Sequence, residues 1–392
     1  MTTKSNLLVA CGYYDQFSGY QEIGITRALA RRANVTVVAG DRVNPIFSDA
    51  HLGNIGASRT YSTEVTIDQN VEVRRFKAHE MRSMLVSPSA IGYMRKGRWD
   101  GIVQIMPGQL LPAAPAFICH GQPRAVLYGD NDAMYANLSK SAARAKRAIF
   151  NATKGQVYRA VNREATSVFG YTQNTCKIID RLNSGPDCSL LPIAFDNEIF
   201  FYDEDLRRTT RGHLGFDEND VVIFAPGKPQ KQKQFIELLR IFAAIAPGTN
   251  AKLMFAGAGS DQASDELRQA VKVNNLHQRV VIQPFVDSRT LNSLFNASDI
   301  GVWPAMPAAT IQQSMGTGLR TIFPENDLVG HLAYSQAQCV TFAEGLSKFA
   351  TTLKSSIEAN RAGVSRSALS QGSQWLSTDS IADRVLTGLG LN

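Results

Sequence analysis

The stretch VVIFAPGKPQKQKQFIELLRIF (221–242) decides the fold. Five apolar residues, β-branched or aromatic for the most part, run into Pro226–Gly227. Lys228 and Lys233 follow, and then apolar residues recur at helical spacing through FIELLRIF. A buried strand that passes through a glycine turn into an amphipathic helix is one βα unit. The same alternation recurs downstream, with strand-like runs at AKLMFAGAG (251–259), RVVIQPF (279–285), DIGVWP (299–304) and RTIFPE (320–325), each followed by a helical stretch.

Upstream, NLLVACGYY (6–14) reads as a strand, GYQEIGITRALARRAN (19–34) as a helix and VTVVAG (35–40) as a second strand. Further β-like runs fall at VEVRRF (71–76), GIVQIM (101–106) and AVLYGD (125–130). A crossover between strands of this kind makes a parallel sheet. Two consecutive series predict an α/β protein of two doubly wound domains, and the length of 392 residues suits two cores. Ligands of such sheets bind beyond the carboxyl ends of the strands, so the cleft between the domains is the expected site.

The formal net charge is +7, which favours anionic partners. No apolar run reaches the roughly 18 residues of a membrane span, and the start of the chain does not read as a signal peptide. The expected location is cytoplasmic, with peripheral attachment to the inner membrane face as an extension. Cysteines 11, 119, 176, 188 and 339 are scattered without a CxxC pair and read as reduced thiols. The histidines at 51, 79, 120, 213, 277 and 331 have no metal-ligand spacing, and no G-x-S-x-G occurs.

Several stretches carry chemistry. Gly227 lets the backbone approach a ligand, and Lys228 and Lys233 beside a helix start suit a diphosphate; a solvated basic turn is the plainer alternative. Gly257-Ala-Gly259 precedes a helix but has Gln262 where a dinucleotide fingerprint needs glycine, so a tight turn is expected. In WPAMPAATIQQSMGTGLRTIF (303–323) a helix starts near Ala309 or Thr310. Its first turn, Ala309 to Ile311, offers backbone N–H groups and a hydroxyl to phosphate oxygens, or Thr310 simply caps the helix. Asp130-Asn131-Asp132 follows a strand: either a divalent cation bridges there to the phosphates, or Asp130 reaches substrate hydroxyls. Residues 139–165 form a basic helical region, with Arg144, Lys146, Arg147, Lys154 and Arg159, that splits near Gly155. It reads as a solvated face or as a surface for anionic membrane over 140–163; nucleic acid is not expected, because interleaved aromatics are nearly absent.

Taken in order, these segments resemble the retaining family-4 glycosyltransferases of GT-B fold. FAPGKPQKQKQFIELL resembles the family's donor-phosphate motif, and RVVIQPFVDSRTLNSLFNASDIGVWP and QSMGTGLRTIF follow in family order. LLPIAFDNEIF resembles the segment before the interdomain linker, with Ala194 in place of glycine and Asp196 kept. The resemblance implies domains at 1–200, joined by a returning helix at 374–392, and at 201–373. It implies that Lys228, Lys233 and Gly227 hold the donor diphosphate, that Gly19 and Tyr20 approach it from the first loop, and that Phe285–Val286 hold the base. Ala309, Thr310, Ile311 and Gln313 complete the donor site, and Asp130 stands where the family often has an acceptor-side histidine. Gln313 and Ala305 occupy the positions of two family glutamates, so a glutamine amide replaces the carboxylate on the ribose side.

The expectation is a metal-independent transfer of a hexose from a UDP-, GDP- or dTDP-linked donor, with no cofactor, onto a bacterial surface glycan or its lipid-linked precursor. Two alternatives stay open: a catalytically silent GT-B subunit that supports a partner transferase, and a metal-dependent GT-A enzyme using Asp130 and Asp132.

Overall fold

The computed structural model describes residues 4–391 apart from 19, 48, 55, 82–83, 131–138, 325, 335–340, 343–344 and 361–364. The chain divides into two compact units, residues 1–193 with 378–392, and residues 194–377.

The first unit is built on eight strands: β1 (Asn6–Ala10), β2 (Asn34–Gly40), β3 (Thr66–Asp68), β4 (Val71–Phe76), β5 (Gly101–Ile105), β6 (Arg124–Tyr128), β7 (Ser167–Gly170) and β8 (Cys188–Leu190). Their spatial order is β8-β7-β6-β5-β1-β2-β4-β3. Every pairing is parallel except the edge hairpin β3–β4. Around this sheet lie α1 (Gln21–Ala30), α2 (Lys140–Ala152), α3 (Lys154–Arg163) and α4 (Gln173–Asp180). The basic region is thus two helices, as expected, with the break at Thr153 close before Gly155, which sits buried in the first turn of α3. Helix α2 buries none of its residues, whereas α3 buries Tyr158, Val161 and Asn162 against the sheet.

The second unit has a wholly parallel sheet of β9 (Val221–Pro226), β10 (Ala251–Ala258), β11 (Val280–Pro284), β12 (Ile300–Val302), β13 (Arg320–Phe323) and β14 (Thr341–Phe342), in the order β11-β10-β9-β12-β13-β14. Its helices include α5 (Glu204–Leu214), α6 (Phe235–Ile245), α7 (Gln262–Val273), α8 (Ser288–Ala297) and α9 (Thr310–Gly316). Successive side chains of a strand point to opposite faces, and β9 shows the result. Val221, Ile223 and Ala225 join the core beneath α6 and α7, while Val222 and Phe224 join the core on the other face with Ile311 and Met315 of α9. Burial on both faces is why this strand reads as a continuous apolar run.

Asp299, just before β12, is buried at 7% exposure and takes Arg207 at 2.6 Å and Arg211 at 3.3 Å from α5. The same carboxylate accepts the Val222 N–H at 2.7 Å and so fixes α5 to the sheet.

After residue 377 the chain returns to the first unit as α10 (Thr378–Leu389), which packs on α1. Asp379 is held by Arg31 and Arg32, each at 2.8 Å, and Arg32 also reaches Asp383 at 2.5 Å. Ile381, Val385 and Leu389 supply the buried side of the helix.

Candidate functional site

In the second unit the strand order reverses between β9 and β12, which makes the carboxyl ends of these two neighbours the switch point where open sheets take ligands. The sequence places its phosphate-suited residues at this junction. Strand β9 ends at Pro226, and Gly227 follows with φ +122° and donates its N–H to Ala256 at 2.7 Å. A Cβ on Gly227 would lie 2.1 Å from Lys233 Nζ, so the lysine crosses directly above the bare backbone. Gly257 is pinned equally closely from β10: its Cβ would come within 2.6 Å of the Gly227 carbonyl carbon. The Gly257–Gly259 turn thus serves to pack two strand ends together.

The two lysines differ. Lys228 is 62% exposed and pairs with Asp261 at 3.4 Å. Lys233, in a turn of 3-10 helix before α6, is partly buried, and burial lowers its pKa from the ordinary lysine value. Among the described residues no carboxylate pairs with it, so its charge faces a partly dry site uncompensated. Gln234 then takes a left-handed conformation, φ +54°, which turns the chain into α6.

The neighbouring strand end carries the segment 303–313. Helix α9 begins at Thr310 with Ala309 as N-cap, as the sequence predicts, but Thr310 does not cap it. Its hydroxyl oxygen instead accepts from Trp303 Nε1 at 2.9 Å, and this staples the helix to the end of β12. Ile311 is fully buried and donates its N–H to Ala308, so neither its side chain nor its amide is open to a phosphate. Gln313 is half-buried; its backbone N–H bonds the Ala309 carbonyl, and its side-chain oxygen has no hydrogen-bond partner among the described residues. Gln312 is 2% exposed, and its side-chain oxygen is unsatisfied as well. Ala305, two residues past Trp303, is half-buried. At the far side of the sheet Phe285 is 80% exposed just past β11, while Val286 packs against the core.

In the first unit Gly19 lies outside the described residues, as does Asp132. Tyr20 is the N-cap of α1 and stacks at 5.7 Å on Phe47. Asp130 follows β6 and is not free. Lys154 Nζ bonds its Oδ1 at 2.6 Å, and the Tyr158 hydroxyl donates to Oδ2. These two donors stand one turn apart on α3, and Lys154 reaches the carboxylate across Gly108, where a Cβ would collide with Lys154 Cε at 1.8 Å. Tyr158 is itself seated edge-on against Tyr128, whose hydroxyl donates to Asn162 at 2.6 Å. Burial and the neighbouring Asp130 charge push the Tyr158 hydroxyl well above its ordinary pKa, so it stays protonated and keeps donating.

Sequence reasoning places Lys154 among the basic surface residues and passes over Tyr158. The spacing of the pair within one helix is the available signal. Glu22 escapes it too: it lies in the first turn of α1, and burial pushes its carboxyl up to about 7.

No family model matches the chain. The fold is similar over 99% of its length to the crystal structure of HepE from Anabaena in complex with UDP, with a TM-score of 0.68 and 16% identity, covering all of that chain. It has the GT-B fold. The metal-dependent GT-A alternative is thereby corrected, because the chain carries a second Rossmann-like unit where that fold has a single sheet domain. WaaG, a glycosyltransferase involved in lipopolysaccharide biosynthesis, matches 97% of the chain and 99% of its own at a TM-score of 0.56 and 13% identity. Among curated proteins, an uncharacterized glycosyltransferase of Methanocaldococcus jannaschii is 25% identical over 151 residues, 38% of this chain. That match spans about a third of the relative's length (35%).

Proposed function

We propose that this GT-B protein is a glycosyltransferase that moves a hexose from a nucleotide-sugar donor to a glycan or lipid-linked acceptor, with retention at the anomeric carbon and without a metal. The observation that carries the reading is Lys233: a part-buried ammonium, without a carboxylate partner among the described residues, held over a side-chain-free glycine at the switch point of a parallel sheet. Such a charge calls for an anion. In transfer from a nucleotide sugar the bond between the anomeric carbon and the diphosphate oxygen breaks, and negative charge accumulates on the departing phosphate. Fixed cations aimed at that charge stabilise the transition state, and loss of one such contact typically costs about 10²–10³ in rate. Lys233 takes this role, with Lys228 joining once it exchanges Asp261 for phosphate. HepE, described in complex with UDP, lends the donor assignment support from fold likeness.

Gln313 offers an amide oxygen to a donor hydroxyl, and its unsatisfied state suits that task. Asp130, already taking two hydrogen bonds, orients the acceptor hydroxyl. The exposed basic helix α2 and the likeness to WaaG support the acceptor class. Arg144, Lys146 and Arg147 there suit an anionic membrane surface, each contributing about 1 kcal/mol near headgroups.

The test is a thermal-shift screen of the purified chain against UDP, GDP, dTDP and their sugars, followed by turnover with the donor that binds. A ligand specific for the folded state raises the melting temperature by mass action. Binding lost in Lys233→Ala and kept in Asp130→Asn supports the donor site. No shift with any nucleotide sugar sinks it, and binding without turnover favours the silent-subunit reading.

A further inference from the structure

Two of the cysteines that the sequence scatters are brought together by the first unit. Cys176 lies in the first half of α4 and Cys188 begins the edge strand β8, which pairs in parallel with β7. Gly170, the last residue of β7, sits beneath both. A Cβ there would meet Cys176 Sγ at 2.8 Å and Cys188 Sγ at 3.1 Å, so both sulfurs crowd one point above a residue without a side chain. The Cys176 thiol donates to the Gly170 carbonyl at 4.0 Å, and the closeness of the two thiols holds Cys176 below its ordinary pKa and, together with burial, Cys188 above it. Cys176 is buried at 9% exposure, whereas Cys188 is half-buried on the edge strand and the more accessible of the two. Cys11 and Cys119 are buried at 2% and 6%.

We infer that Cys176 and Cys188 form a reversible redox pair, closed to a disulfide by a low-molecular-weight disulfide. One thiol attacks a sulfur of the small disulfide RSSR and releases one RSH. Its neighbour then displaces the second RSH, so two protein thiols are oxidised and one RSSR is reduced. The rate of such exchange depends on access and on thiolate character, and this pair divides the two between its members. The bond fastens β8 to α4. Leu190 at the end of that strand already accepts a hydrogen bond from Arg384 of α10, and Leu191 donates to Gly170, so the link stiffens the last segment of the first unit before the chain passes to residue 194.

The experiment treats the full native chain with oxidised glutathione, quenches with alkylating reagent, and maps peptides by mass under non-reducing conditions. The expected result is one peptide pair joined through Cys176 and Cys188, two hydrogens lighter than the free thiols and reversed by dithiothreitol. A melting temperature higher in the oxidised than in the reduced protein accompanies it. Cys188→Ser abolishes the link, and Cys11→Ser leaves it intact. Glutathione retained singly on Cys188, a link to any other cysteine, or two alkylated thiols after prolonged exposure overturns the inference. The mapping is made on the unaltered protein, so a variant that fails to fold does not change its outcome. UDP binding is not a readout, so the result stands apart from the proposed activity.

Discussion

Lys233 Nζ occupies the space that a side chain at residue 227 would fill, 2.1 Å from the Cβ position of Gly227. Gly227→Ala therefore displaces the ammonium and also strains a backbone held at φ +122°. The expected outcome is a fall in nucleoside-diphosphate affinity of about tenfold or more, since each tenfold is worth about 1.4 kcal/mol. Isothermal titration against the nucleotide found in the thermal-shift screen reads this. Affinity equal to the parent's shows that the lysine does not act from this position.

The charge on Lys233 also fixes a pH dependence. Burial lowers its pKa below the ordinary 10.5, so the free protein loses the cation at a lower pH than an exposed lysine would. Diphosphate binding needs the protonated form. Affinity is thus full on the acid side and declines as pH rises through the lowered pKa, with proton uptake on binding in that window. Lys233→Arg, which keeps its charge, flattens the decline in titrations from about pH 7 to 10.

Asp130 is predicted to act through the two groups that hold it. Tyr158→Phe removes one hydrogen bond to a carboxylate, an interaction worth about 1.5–3 kcal/mol. The acceptor KM rises about tenfold while donor affinity is unchanged, and Lys154→Met behaves alike. Steady-state kinetics with each substrate varied separates the two effects; a change confined to the donor side counts against the acceptor assignment.

His331 is 3% exposed, and neither ring nitrogen has a hydrogen-bond partner among the described residues. Burial lowers its pKa from 6.5 to about 4. The neutral ring is compatible with the fold and the charged ring is not. Its contribution is therefore complete above pH 6.5 and is lost as pH falls from there to about 4, by roughly 3 kcal/mol at the end of that range. Urea unfolding of the parent and of His331→Phe across about pH 4–7.5 checks this: the variant loses less stability on acidification.

Asp299→Asn leaves Arg207 and Arg211 without the carboxylate that compensates them. Removing one partner of a buried ionic cluster costs about 3–5 kcal/mol, and the loss should appear in the denaturation midpoint with affinity per folded molecule for the nucleotide found in the screen preserved.

The strands were legible because both faces of these parallel sheets are buried, which writes each central strand as an unbroken apolar run, as in VVIFA and NLLVA. The start of α9 was legible from the proline- and alanine-rich loop before it. What stayed hidden was decided by distance in space. Lys154 looks like any residue of a basic helix, and only the fold carries it over Gly108 to Asp130, 24 positions away. Thr310 reads as a cap, yet Trp303 claims its oxygen, because a buried indole N–H must find an acceptor. The short edge strands β3 and β8 lack the length to show a period at all. The break in the basic helices was legible from the glycine: it falls at Thr153, and Gly155 lies buried in the first turn of α3, where its small size serves packing.

The returning helix α10 gives the chain a temporal order. Arg31 waits for Asp379, which the ribosome adds 348 residues later, and Arg32 waits for the same helix. Residues 194–377 are therefore synthesised in full before α10 exists to cover α1, and the amino-terminal body takes up its last helix only when the inserted module has left the ribosome.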